Sequence, residues 1–119
     1  MTEEKMEGRY VPCKGIKTKD WYAWINLMPP RPDDFHVVGE VCVPNPGVEP
    51  LLALKEPQGI NPDILLLDLF LYQKSGIWPQ VVIWKAARYD KIPLKTKYTQ
   101  VQIFCEDEVI ADIPVEVVS

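Results

Sequence analysis

Twelve prolines interrupt this chain of 119 residues, and they repeatedly fall between short segments rich in valine, isoleucine, leucine and aromatic residues. Proline cannot donate a backbone hydrogen bond, so prolines at this density leave little room for long helices. Short apolar segments bounded in this way are typical of strands. The sequence predicts seven of them, at residues 21–28, 35–43, 51–55, 63–73, 81–89, 98–105 and 109–118.

The spacing of these segments predicts an all-β fold. Their starts lie eleven to eighteen residues apart, which favours an antiparallel β-sandwich, here of about seven strands, immunoglobulin-like or a related Greek key. The clearest alternation lies in residues 98–118, where a turn at 106–108 predicts a hairpin and Pro114 indicates an edge or a bulge. A short helix over residues 84–89 is the alternative in one segment, because lysine, alanine and arginine favour helix.

The length allows one hydrophobic core. Residues 1–20 carry five basic and four acidic side chains with little periodicity, and we expect them to form a flexible or loosely docked N-terminal arm. Residues 21–119 are then a single β-sandwich domain.

Charge and apolar runs narrow the classes of partner. A net charge of −4 makes nucleic acid an unfavourable partner, because the chain as a whole repels phosphate. No apolar leader is visible near Met1, and the longest apolar run, residues 64–72, is broken by Asp68 and too short to span a membrane. The sequence therefore predicts a cytoplasmic protein.

Three cysteines, Cys13, Cys42 and Cys105, are widely separated and lack CxxC spacing. We expect reduced, partly buried thiols, which agrees with a cytoplasmic location. The alternative is one disulfide and one free thiol.

The segment FHVVGEVCV, residues 35–43, holds the only histidine of the chain. In a strand, His36, Glu40 and Cys42 share one face, but His36 and Glu40 lie roughly 13 Å apart along it, too far to share one metal ion. Neither a nucleophile elbow nor a phosphate-binding glycine loop is present. We therefore expect no metal, no cofactor and no catalytic residue. Enzymatic activity is the less favoured class, and it would require a pair of carboxylates from distant positions to come together in the fold.

The strand at residues 64–72 is apolar on both faces. Its leucines at odd positions suit a core, while Leu66, Phe70 and Tyr72 make the opposite face apolar, interrupted only by Asp68. This face is covered either by the chain's own N-terminal arm or loop, or by a second copy or another protein. On either account, Asp68 should pair with a lysine, an arginine or a backbone group.

Two other surfaces are candidates for binding. The aromatic residues of the first predicted strand include Trp24, and Trp78 lies in a turn where it should be partly exposed. The basic segment 85–97 offers Lys85, Arg88 and Lys91 to an anion.

Together these features predict a small cytoplasmic binding or assembly module that self-associates, or docks a protein partner, through its apolar strand. The alternative is a small-molecule or anion-binding protein, possibly an enzyme, that uses the basic segment.

Overall fold

The computed structural model describes residues 8–27, 34–91 and 98–118. All seven predicted segments form strands, so the all-β class is confirmed and the helix alternative for residues 84–89 is wrong. Within the described residues there are eight strands: β1 (Arg9–Val11), β2 (Thr18–Asn26), β3 (Asp34–Val43), β4 (Val48–Leu54), β5 (Ile64–Gln73), β6 (Ile83–Lys91), β7 (Gln100–Cys105) and β8 (Glu108–Val118).

The additional strand, β1, lies in the segment predicted to be an N-terminal arm. It pairs antiparallel with the last residues of β5, with Tyr10 opposite Tyr72. The same segment also contains the beginning of β2, which starts at Thr18. Residues 1–7 of the predicted arm lie outside the described residues.

The strands form one curled, mixed sheet in the order β1-β5-β7-β8-β2-β3-β6. β1 and β7 pair with different parts of one edge of β5, and β4 pairs with the opposite edge. Two pairings are parallel, β5 with β7 and β2 with β8, so the prediction of an antiparallel arrangement is wrong. The curled sheet is a half-barrel and does not show a clear sandwich or immunoglobulin-like arrangement. Alternation predicts which residues face inward but carries no information on strand direction, which explains the error.

The curl depends on β8, which belongs to both halves of the sheet. Its residues up to Pro114 pair with β7, and those from Val115 onward pair with β2. Pro114 has no N–H to give to a ladder, so it fits the point where the strand leaves one neighbour for another.

The core lies inside the curl. Leu65, Leu67, Leu69 and Leu71 of β5 face inward and are at most 2% exposed, as the alternation predicts. Inward residues from β3 and β7, such as Phe35 and Ile103, complete this core. At one end, Lys85 of β6 donates to the Pro46 carbonyl at 2.6 Å and contacts Glu49 of β4 at 3.0 Å, so it links the two outermost strands of the curl.

Cys13 and Cys105 form a disulfide, and Cys42 is the free cysteine. The prediction of three reduced thiols is therefore wrong, and the alternative of one disulfide with one free thiol is correct. Widely spaced cysteines gave no indication of this contact, because it depends on β1 and β7 both lying along β5. The described residues contain no helix long and apolar enough to cross a membrane.

Candidate functional site

The convex side of the half-sheet around β5 carries an apolar patch. Leu51 of β4 lies opposite Phe70 of β5, and Tyr10 of β1 lies opposite Tyr72. Leu51 and Phe70 are each 43% exposed and Tyr10 is 64% exposed. We call these four residues, Tyr10, Leu51, Phe70 and Tyr72, the outer patch. Phe70 and Tyr72 were predicted from the sequence, whereas Tyr10 and Leu51 were not.

Tyr10 holds the outer patch together. Its ring makes edge-to-face contacts with Phe70 at 5.9 Å and with Tyr72 at 5.2 Å between ring centroids. The Tyr72 hydroxyl accepts a hydrogen bond from the Gly8 amide at 2.8 Å. The N-terminal segment therefore covers part of β5, as one account of the two-sided strand expected, but it leaves an aromatic surface in contact with solvent.

Leu66, a further interface candidate, is positioned differently. The Gln58 side-chain amide donates to the Leu66 carbonyl at 2.8 Å and accepts from the Leu66 N–H at 3.0 Å. A Cβ on Gly59 would lie 3.3 Å from the Leu66 side chain. The loop between β4 and β5 therefore lies against Leu66, which is half-buried and outside the outer patch.

Asp68 borders the outer patch and is paired with lysine, as predicted. Lys55 lies 3.5 Å from Asp68 and 2.8 Å from Asp107, and its ammonium stands 4.8 Å from the centre of the Phe104 ring. The hydrogen bond with Asp107 raises the pKa of Lys55 and lowers the pKa of Asp107. Lys55 and Asp107 are therefore both charged at neutral pH.

A gap in the sheet lies next to the outer patch. Along one edge of β5, β7 pairs with residues as far as Asp68, and β1 pairs from Leu71 onward, which leaves Leu69 and Phe70 without a neighbouring strand on that edge. A cavity of about 280 Å³ lies here, lined by Phe70 and by four carboxylates and one lysine. The charged residues are Lys55, Glu56, Asp68, Glu106 and Asp107. We call this space the acidic cavity.

Trp78, predicted to be partly exposed, is half-buried beyond the far end of the outer patch. Its indole N–H donates to the Lys74 carbonyl at 3.0 Å, and the ring occupies the space that a side chain at Gly47 would need. The Lys74 ammonium lies 5.4 Å from the ring centre. A polar cavity of about 600 Å³ adjoins Trp78 and Lys74.

A second cluster, on the outer face of the other half-sheet, contains His36. Its Nε2 lies 2.8 Å from Asp34 and its Nδ1 lies 2.5 Å from Asp90, which also accepts a hydrogen bond from Arg88 at 2.8 Å. Trp24 lies 4.9 Å from the imidazole ring and stacks on Tyr22 at 5.2 Å. Trp24, a binding candidate from the sequence, therefore lies in this cluster and not in the outer patch.

The three anion-binding candidates are not brought together. Alternation along β6 places Lys85 and Lys91 on the face opposite to Arg88. Lys85 is engaged with Glu49, and Arg88 with Asp90. The rest of the basic segment, residues 92–97, lies outside the described residues.

One group of potential metal-ligand atoms is present in the described residues, formed by Cys13, Cys105 and Glu106. The two sulfur atoms are bonded to each other, so they do not provide the thiolates that metal ions bind. This group therefore functions as a disulfide with a neighbouring carboxylate.

Comparison of the chain with models of known protein families, with curated proteins and with solved structures finds no match. The geometry of the described residues is therefore the only basis for a function.

Proposed function

We propose that this protein is a small assembly module that associates with a second copy of itself through the outer patch. The observation that carries the proposal is the contiguous apolar surface of Tyr10, Leu51, Phe70 and Tyr72 on a strand whose other face already fills the core. Contiguous exposed apolar surface on a folded domain usually marks a contact with another molecule. Aromatic side chains are also enriched among the residues that contribute most to binding.

The charges around the outer patch favour a second copy as the partner. One end of the patch adjoins the acidic cavity, and the opposite end adjoins Lys74. When the two-fold axis is perpendicular to β5, the two copies of the strand run in opposite directions, so each acidic end meets a basic end. Opposite charges of this kind orient two molecules and disfavour partners without them.

The anion-binding alternative lacks comparable support, because Lys85 and Arg88 lie on opposite faces of β6 and each is paired with a carboxylate. The cytoplasmic location predicted from the sequence is not part of this proposal, since disulfides persist mainly in oxidising compartments.

Sedimentation velocity and native mass spectrometry of the whole chain over a range of concentrations test the proposal. The wild-type protein should form a dimer, and Phe70→Glu should be monomeric, because a carboxylate cannot be buried without a partner in an apolar contact. Ile60→Glu is the matched control, since Ile60 is fully exposed in the loop away from the outer patch. This variant should remain dimeric.

Circular dichroism shows whether each variant is folded. A folded Phe70→Glu protein that dimerises as well as the wild type would refute the outer patch as the interface. A wild-type protein that stays monomeric at all concentrations would refute self-association itself.

A further inference from the structure

The acidic cavity has an excess of negative charge that the described residues of the same chain do not balance. It is lined by four carboxylates, and Lys55 is the one basic side chain among its lining residues. Asp107 is paired with Lys55, yet its side chain is 89% exposed. A cationic group that enters from outside would therefore meet an accessible carboxylate beside the exposed ring of Phe70.

We infer that the acidic cavity receives the Lys74 side chain of the second copy, and this inference rests on the proposed self-association. Lys74 follows β5, and its amide donates to the Gly47 carbonyl at 2.9 Å, which continues the register of β4 with β5. Alternation then places Lys74 on the same face as Phe70 and Tyr72. Lys74 is exposed.

The spacing along β5 determines the register of the contact. Asp68 and Lys74 each lie three residues from Leu71, and Phe70 and Tyr72 each lie one residue from it. A two-fold axis at the level of Leu71 therefore places Phe70 opposite Tyr72 and Lys74 opposite Asp68. The two charged positions of one chain are about 20 Å apart, because a strand rises about 3.3 Å per residue.

Other registers match the charges less well. With the axis at Phe70, Asp68 would face Tyr72 and Lys74 would face Leu66, so that both charges would lie against apolar or aromatic side chains. With the axis at Tyr72, Lys74 would face Phe70. The axis at Leu71 is the one of these three that pairs aromatic with aromatic residues and acid with base.

A charge swap at Asp107 tests the contact, because Asp107 lines the acidic cavity together with Asp68 and is the more exposed of the two carboxylates. Lys74→Glu and Asp107→Lys should each weaken dimerisation about tenfold, because every two-fold interface contains the contact twice and each change juxtaposes like charges. The double variant, Lys74→Glu with Asp107→Lys, should recover affinity to within about threefold of the wild type. Lys17→Glu has the same change of charge at an exposed lysine away from β5, and it should leave the dissociation constant unchanged.

The measurement is sedimentation equilibrium at low and high salt. The wild-type dissociation constant should rise with salt, and that of Lys74→Gln should respond less, since exposed charge pairs are screened. If Phe70→Glu abolishes the dimer while Lys74→Glu and Asp107→Lys leave it unchanged, this inference fails and the proposed function stands. If the double variant is no tighter than the single variants, the direct contact is refuted. A monomeric wild type would refute both proposals.

Discussion

At the scale of single residues, the contact of His36 with Asp90 links stability to pH through the Asp90 carboxylate. Both of its ring nitrogens face carboxylates, Asp34 on its own strand and Asp90 on β6. A neutral imidazole has one N–H, so only the imidazolium donates both hydrogen bonds. Burial raises the pKa of Asp90, but hydrogen bonds from His36 and Arg88 outweigh this effect and lower the pKa below its usual value.

We predict that His36 and Asp90 are energetically coupled where Asp90 is ionised, and that this coupling is lost in strong acid. Asp90 is ionised above its lowered pKa and accepts the hydrogen bond from His36 as a carboxylate, whereas a protonated Asp90 no longer carries that charge. A double-mutant cycle with His36→Gln and Asp90→Asn, measured by urea unfolding at neutral pH, should give no more than about 1 kcal/mol. It should approach zero in strong acid.

The stability of the single variant Asp90→Asn, measured over a range of pH, is the control for the direction of this effect. A lowered pKa in the folded state means that ionised Asp90 stabilises the protein above its unfolded pKa, and that this contribution disappears as pH falls through the folded pKa. The stability difference between the wild type and Asp90→Asn should therefore vanish in strong acid. Equal coupling at neutral pH and in strong acid would show that the contact with His36 does not depend on the charge of Asp90.

These residues also show which contacts were predictable. Asp68 was expected to find a basic or backbone partner, because a carboxylate among leucines needs one, and Lys55 lies beside it. The identity of that lysine was not predictable, nor was the pairing of His36 with Asp90. The latter requires β6 to lie beside β3, and these two residues are 54 positions apart.

At the scale of elements, β2 and β3 fit together through a close approach at Gly39. The register of the two strands shifts between Lys19 and Tyr22, and Asp20 in this irregularity has a φ of 58°. The Trp21 ring lies against Gly39, and its N–H donates to Thr18 at 2.9 Å. A Cβ added at Gly39 would come within 2.1 Å of that ring, so the glycine allows the tryptophan to pack on the strand.

We therefore predict that Gly39→Ala destabilises the protein by about 1 to 3 kcal/mol, because either the Trp21 ring or the backbone must move. Gly59→Ala is the matched control, since its nearest contact would be 3.3 Å and it lies in an exposed loop. The measurement is urea unfolding followed by tryptophan fluorescence. Equal midpoints for Gly39→Ala and the wild type would show that Trp21 does not pack closely on β3.

The elements also show the limits of a periodicity argument. Segments with clear alternation, such as β3 and β7, were predicted because each has one face in the core. β1 was missed because three residues next to charged neighbours give no period to detect. The parallel pairing of β5 with β7 was missed because the pairing involves strands that are not consecutive in the chain, and alternation is the same for either direction.

At the scale of the whole molecule, the disulfide connects the first strand of the sheet to the seventh. Cys13 follows β1 and Cys105 ends β7, and the two cysteines are 92 residues apart in sequence. Both strands lie along the same edge of β5, one on each side of the gap at the acidic cavity. β1 pairs with β5 through only three residues. The disulfide therefore helps to hold β1, and with it Tyr10 of the outer patch, beside β5.

We predict that Cys13→Ser with Cys105→Ser lowers the free energy of unfolding by about 4 to 5 kcal/mol, the loop-closure value for a loop of this length. Cys42→Ser should have a much smaller effect, because Cys42 is half-buried and unbonded. If the double variant remains folded, β1 should detach more readily and carry Tyr10 away from Phe70 and Tyr72, since its ladder with β5 has only three residue pairs. Dimerisation should then weaken, as the outer patch loses its most exposed aromatic ring.

Sedimentation velocity and urea unfolding of the double variant and of Tyr10→Ser separate the effect on dimerisation from the effect on stability. Both variants should have raised dissociation constants, and only the double variant should have strongly reduced stability. Wild-type affinity in a folded double variant would show that the disulfide stabilises the fold without supporting the interface.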